Sequence, residues 1–235
     1  MLNAELSTPY RYEFSESKWK QAKGSNSLYG RLTGHSLHYM APYAGSFPPE
    51  LVHYFLMKYS DPNDIVLDPF SGRGTTGLQS VLKNRRVIVN DMNPLAYVYT
   101  HAKLFPYSSR EVERFLRNIP LESSDSSDLI DPNDREILTA YFHDETLREI
   151  AAIRRYLRED KSKLSLYVSG LLAGASQGNR ISNLSVTMSA LICFSSNYMR
   201  KWSEKTGTFP EYREVIPRLV AKAERLEKDG LNFRR

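Results

Sequence analysis

Cysteine is nearly absent from this chain: Cys193 is the only one in 235 residues. That excludes an internal disulfide framework and any multi-cysteine zinc site. Five histidines are present, but only His35 and His38 lie close together, and no carboxylate or cysteine accompanies them in a metal-ligand spacing. No apolar stretch approaches the ~20 residues needed to cross a bilayer. The start, MLNAELSTPYRYEFSESKWK, alternates charged and aromatic residues and holds no continuous apolar segment of the secretory kind. No internal repeat is visible. These absences set the expectation of a soluble, cytoplasmic, metal-free protein with no membrane partner.

What is present is ordinary globular composition, with 41% hydrophobic and 25% charged residues, which excludes wholesale disorder. The length suits one α/β domain, or a domain with an appendage. The formal charge of +5 is unevenly spread. Residues 151–235 carry 16 Lys+Arg against 8 Asp+Glu, whereas residues 1–150 carry 16 against 19. A basic half beside a near-neutral half points to a polyanionic partner, or to a set of solvated helix faces.

The chain divides into three parts. Residues 1–46 are rich in Tyr, Ser and Gly and read as an arm extended over the body. Residues 47–105 carry a βαβ pattern. Pro48-Pro49-Glu50 opens a helix on which Leu51, Phe55, Leu56 and Tyr59 recur at helical spacing. Ile65-Val66-Leu67 and Val87-Ile88-Val89 are short strand-like runs flanking a helix over 75–82, which makes the two strands parallel. Residues 106–235 read as mainly helical. Segments 109–118 and 133–159 suit helices, separated by the Ser/Asp-rich LESSDSSDLIDP, expected to be an exposed link. LSLYVSGLLAGASQGN reads as a buried helix ending near Gly178, and SVTMSALICFSSNYMRKW stays open between strand and helix. PEYREVIPRLVAKAERLEKDG reads as an amphipathic helix with Pro210 near its start and Gly230 past its end.

The informative segment is Asp68-Pro69-Phe70-Ser71-Gly72-Arg73-Gly74-Thr75-Thr76. A strand ends in a carboxylate, the chain turns through two glycines, and a helix begins at a threonine pair. Glycines remove Cβ atoms where backbone approaches a ligand, and a helix start offers free N–H groups. A phosphate loop is disfavoured, because no Gly-Lys-Ser/Thr follows and Asp68 would repel phosphate. A dinucleotide fingerprint is disfavoured because Asp68-Pro69-Phe70 is foreign to it. A carboxylate at the strand end favours a cationic or hydroxyl-bearing ligand. Asp91, 23 residues further on, ends the second strand. It either accepts hydrogen bonds from ribose hydroxyls or caps the helix that begins at Pro94.

VLDPFSGRGTT resembles the cofactor-binding motif of S-adenosylmethionine-dependent DNA methyltransferases that modify the exocyclic amine of adenine or cytosine, where the segment reads DPF-x-G-x-GTT. FPPELV upstream is similar to that family's motif X, and VNDMNPLAY downstream to its motif II; the three stand in the family's order over residues 35–103. A weaker likeness runs through ASQGNRISNLSVTMSALICFSSNYMRKW, which resembles a helical insertion of some such enzymes. The resemblance implies an α/β fold: part of a Rossmann-like methyltransferase sheet with a largely helical second half. It implies S-adenosylmethionine as cofactor and DNA as partner. Asp68 would lie near the methionine amine and Phe70 would line the pocket, with Pro69 and Ser71 also among the cofactor-binding residues. Gly72 and Gly74 would admit the backbone, and Thr75 and Thr76 would bind the carboxylate. Asp91 would hold the ribose, Met92 and Asn93 would flank the adenine, and Phe47 and Pro48 would close the other side. Arg73 departs from the family's small residue; it either faces solvent or brings positive charge near the cofactor carboxylate.

The same family catalyses transfer with an Asp/Asn/Ser-Pro-Pro-Tyr/Phe motif, whose polar groups accept hydrogen bonds from the target amine while the ring stacks on a flipped base. The one Pro-Pro pair here, Pro48-Pro49, is in the wrong place. Ser195-Ser196-Asn197-Tyr198 echoes the motif without its prolines and reads better as a helix start capped by Ser195. Only two or three strands are legible, and a buried-type strand with an unpaired edge is a liability in solution. No catalytic residue is therefore assigned. The expected function is the cofactor-binding portion of a DNA amino-methyltransferase, the catalytic loop coming from downstream sequence or a complementary polypeptide. The alternatives are an RNA methyltransferase and a non-catalytic cofactor- or DNA-binding regulatory subunit.

Overall fold

A computed structural model describes residues 34–41, 47–121, 130–176, 182–187 and 194–231. They fall into two compact units, one drawn from Met1–Pro106 and Leu226–Arg235, the other from Tyr107–Arg225. The fold is mixed α/β and mostly helical, with nine α-helices and one two-stranded parallel sheet among the described residues. Most of the N-terminal segment, the Ser/Asp-rich link after Leu121, the helix end near Gly178 and the apolar run through Cys193 lie outside them.

In the first unit, α1 (Pro49–Tyr59) begins with Pro49 in its first turn and Glu50 beside it, where a missing N–H costs nothing and a negative charge suits the helix dipole. Its buried stripe is Pro49, Val52 and Leu56. Phe55 and Tyr59, expected on that stripe, instead face outward and stack on each other at 6.0 Å, because the helix turns Val52 inward. Strand β1 (Ile65–Asp68) runs parallel to β2 (Arg86–Val89), with Ile65 opposite Arg86 and Leu67 opposite Ile88. Between them lies α2 (Thr75–Leu82), and after β2 comes α3 (Pro94–Leu104), capped by the Asn93 side chain accepting from Leu95 N–H. Helices α1 and α3 both pack on α2.

Alternation along the strands splits the sheet into two faces. Val66, Val87 and Val89 turn toward the helices, and a Cβ on Gly77 of α2 would lie 3.4 Å from Val89 Cγ1. The opposite face is bare: Ile65, Leu67 and Ile88 are each more than half exposed. Parallel sheets are ordinarily covered on both faces, so an apolar surface left open in this way is unusual.

Residues 34–41 depart from the extended arm expected of them. Ser36–Tyr39 forms a 3-10 turn in which Leu37 and His38 are fully buried. The turn is tied to the chain's far end, where Ser36 N–H donates to Asp229 Oδ2 at 2.7 Å and Ser36 Oγ to the Leu226 carbonyl at 2.6 Å. Apolar Leu37 and Met40 in the Gly/Ser-rich stretch bring it inside.

The second unit is helical. Helix α4 (Ser109–Arg117) starts in a capping box between Ser108 and Glu111. It is followed by α5 (Pro132–Leu138), α6 (Asp144–Glu159), α7 (Lys163–Ser176), α8 (Ser196–Thr206) and α9 (Val215–Leu226). The ambiguous segment resolves as helix where it is described: Ser195 Oγ accepts from Tyr198 N–H, as a cap does. Helix α9 starts at Val215, later than Pro210 suggested. The preceding backbone is already committed, since Arg213 N–H donates to Thr146 Oγ1 at 2.8 Å and Thr146 Oγ1 to the Arg213 carbonyl at 3.0 Å. Among the described residues no helix is long and apolar enough to cross a membrane.

Candidate functional site

The carboxyl ends of β1 and β2 lie side by side, which is where open α/β sheets bind ligands. Beyond Asp68 the chain turns back: Asn90 N–H donates to the Asp68 carbonyl and Ser71 N–H to the Asn90 carbonyl, both at 2.9 Å. The turn closes with Gly74 N–H on the Ser71 carbonyl at 2.8 Å. Gly72 and Gly74 both take positive φ, at 52° and 77°. At Gly74 a side chain has no room, because a Cβ would lie 2.5 Å from Thr100 Oγ1 and 2.9 Å from its Cα. Helix α2 therefore starts hard against α3, in a left-handed conformation that only glycine adopts without strain.

Asp91 pins this loop to the second strand. Its Oδ2 accepts from Gly72 N–H at 2.7 Å and its Oδ1 from Asn93 N–H at 2.9 Å. The Asn93 and Gly72 amides hold its carboxyl below the usual 3.8. The tie is therefore present above that range and is lost as pH falls through the lowered value. The helix cap itself is Asn93, so the capping alternative for Asp91 is not what the structure adopts. Asp68 is half-buried, and its Oδ1 accepts from Phe70 N–H at 3.1 Å.

Around this loop, Phe70 and Met92 are 82% and 95% exposed, and Pro69 and Asn93 are also exposed. Ser71 and Thr75 are buried, and Thr76 is half-buried. Arg73 is half-buried, with Nε donating to Thr75 Oγ1 at 3.4 Å, and burial lowers its pKa. Phe47 and Pro48 stand at the start of α1, where the Pro48 carbonyl accepts from Leu51 N–H at 3.1 Å.

Sequence reasoning missed what lies beneath the loop. Lys103 is fully buried, and its Nζ donates to the Arg73 carbonyl at 2.5 Å. His38 is fully buried as well, bonded through Nε2 to Gln79 Oε1 at 3.2 Å. A signal existed: Ala96, Tyr99, Thr100 and Lys103 share one helical stripe, so the lysine falls on the buried face of α3. No group of three or more His, Cys, Asp or Glu among the described residues could hold a metal ion.

Two parallel strands, a tight glycine turn and a helix start thus bring the Asp68 and Asp91 carboxylates to one end of the sheet. Residues 8–101 match the family model described as DNA methylase. Through that segment the chain is similar to the DNA methylase family. It is 35% identical over 80 residues to the type II methyltransferase M.MjaII of Methanocaldococcus jannaschii, covering 34% of this chain and 15% of that protein. It is 42% identical over 57 residues to M.XycI of Xanthomonas campestris pv. cyanopsidis, covering 23% of this chain and 19% of the relative. Identity to M.Cfr9I of Citrobacter freundii is 29% over 93 residues, covering 38% and 31%. The chain thus spans less than a third of the length of these curated relatives. No solved structure gives a significant match.

Proposed function

We propose that this chain is the S-adenosylmethionine-binding portion of a type II-like DNA methyltransferase acting on the exocyclic amine of adenine or cytosine. The observation that carries the reading is the strand-end loop from Asp68 to Thr76, locked to Asp91. The residues present fit the cofactor. Each Asp91 oxygen holds one backbone amide, and a carboxylate has about four acceptor sites, so lone pairs remain for ribose hydroxyls. Asp68 keeps Oδ2 for a ligand amine while Oδ1 is engaged by Phe70. Exposed Phe70 and Met92 offer apolar surface to an adenosyl group, and Pro69, Ser71, Gly72, Gly74, Thr75, Thr76, Asn93, Phe47 and Pro48 complete the assigned set. When bound, the cofactor supplies a sulfonium-activated methyl group; this chain's residues hold it and screen it from water.

The bare face of Ile65, Leu67 and Ile88 supports the second element of the reading. A Rossmann-like sheet is completed when further polypeptide pairs beside β1, covers that face and brings the Pro-Pro-aromatic loop. That polypeptide is downstream sequence or a separate chain. Residues 47–105 serve as the cofactor-binding region, and residues 106–235 as the DNA-facing or partner-docking part.

The cofactor assignment is checked by calorimetry with S-adenosylhomocysteine. Asp68→Ala is expected to weaken binding at least tenfold, about 1.4 kcal/mol. Equal affinity for variant and wild type would refute it.

DNA contact is assigned to the basic stretch from residue 151 onward, where Arg154, Arg158, Arg200, Lys201 and Lys205 are exposed. Binding to duplex should fall steeply with salt, since each phosphate contact releases counterions. Four such contacts lose on the order of a hundredfold between about 50 and 200 mM. A salt-independent affinity, measured by fluorescence anisotropy, would remove this stretch from the DNA interface.

A further inference from the structure

Lysine is among the residues least often fully buried, and a buried ammonium is costly unless an anion or several acceptors meet it. Lys103 breaks both expectations. It is fully buried on α3, and its hydrogen bond is to the carbonyl of Arg73, in the middle of the glycine turn. Among the described residues, the charged neighbour that acts on it is Arg73, another cation. Burial, then Arg73, drives its pKa well below 10.5. Next to it, His38 is also fully buried, and its Nδ1 has no hydrogen-bond partner. Its pKa falls well below 6.5, through burial first and Lys103 second. From the other elements packed here, Gln79 on α2 contributes a neutral amide and His35 a second imidazole.

The underside of the loop thus collects basic groups: Asp229 acts on His35, but no carboxylate is among the groups that act on Lys103 or His38. Its upper side presents the N-terminus of α2, also positive in potential. A methionine in place of Lys103 would fill this core without desolvating an amine. A core that keeps the lysine gives up stability at a position touching the loop, as proteins do at functional sites.

We propose that Lys103 is a positioning residue for the ligand's anionic end: it fixes the Arg73 carbonyl from below, sets the turn, and supplies the cation that a bound carboxylate completes. This rests on the cofactor reading above and goes beyond it, since it assigns selectivity for the amino-acid part of the ligand to a residue that never reaches the surface.

Two ligands separate this role from mere packing. S-adenosylhomocysteine carries the carboxylate, whereas 5′-deoxy-5′-methylthioadenosine keeps the nucleoside and lacks the amino-acid end. Lys103→Met should lower affinity for the first by about tenfold or more and for the second by less than about twofold, read by calorimetry. Should that variant fail to fold, Lys103→Gln carries the same comparison, keeping a donor for the Arg73 carbonyl without the charge. Ser80→Ala, on the buried face near the far end of α2, removes an oxygen that has no hydrogen-bond partner and should change neither affinity. Equal losses for both ligands, or none, would overturn the proposal while leaving the cofactor site intact. Wild-type protein that binds neither ligand would overturn the cofactor reading and this one with it.

Discussion

Purified residues 1–235 are expected to bind S-adenosylhomocysteine and yet transfer no measurable methyl group to DNA. Methyl transfer needs the amine nitrogen in line with the methyl carbon, held at ~3–3.5 Å, and that alignment contributes several kcal/mol of the acceleration. It also needs acceptors that draw the amine's lone pair toward the methyl. Among the described residues nothing supplies such a loop. The segment that most echoes it, Ser195 to Tyr198, is a helix start, with Ser195 Oγ engaged by Tyr198 N–H and the Tyr198 ring stacked on Phe194 at 4.4 Å. Activity should appear on adding a polypeptide that carries a Pro-Pro-aromatic loop and pairs beside Ile65–Asp68. That partner would also cover Ile65, Leu67 and Ile88, so the buried area should exceed the ~1,600 Å² of a standard interface. The check is a tritiated-methyl transfer assay with and without the complementing chain. Robust transfer by the 235-residue chain alone would refute the division of labour.

The second large effect is expected at Gly74. Alanine there meets two penalties: a left-handed backbone at φ 77°, and a Cβ 2.9 Å from the Thr100 Cα, which cannot swing aside as a side-chain tip would. Strain of this kind costs ~1–2 kcal/mol, and overpacking adds ~1–3 kcal/mol. Gly74→Ala should therefore lose about 2–5 kcal/mol in a chemical denaturation, with cofactor binding lost as the turn opens. Gly230→Ala is the matched control in the same unit. Its φ of 85° is equally unfavourable, but nothing lies within 4 Å of the added Cβ. It should cost only ~1 kcal/mol. If the two variants prove equally stable, close packing of α2 on α3 is not what demands glycine at position 74.

Local chemistry was legible in the residues alone. The run Ile65 to Asp68, the glycines at 72 and 74 and the helix from Thr75 to Leu82 stand where the spacing put them, because each depends on neighbours a few residues away. The Ser195 cap was read correctly for the same reason: a hydroxyl reaches the N–H three residues on, whatever the rest of the chain does. Helix α9 shows the limit of such reasoning. Pro210 could begin a helix, but the side chain of Thr146, far away in sequence, holds the Arg213 backbone out of it.

The sequence by itself determined one half of the proposed site: two strand-end carboxylates, a glycine turn and a helix start, all specified by short-range steric and hydrogen-bonding rules. Tertiary structure alone decided what stands behind and beside them. Burial of Lys103 and His38 depends on α3, α2 and the 3-10 turn meeting, and no local pattern encodes that meeting. Exposure of Ile65, Leu67 and Ile88 is likewise invisible in a run of β-branched and aliphatic residues, which reads as buried. Whether such a face meets a neighbour is a property of the assembled layers, because hydrophobic burial is set by what packs against a strand and not by the strand itself.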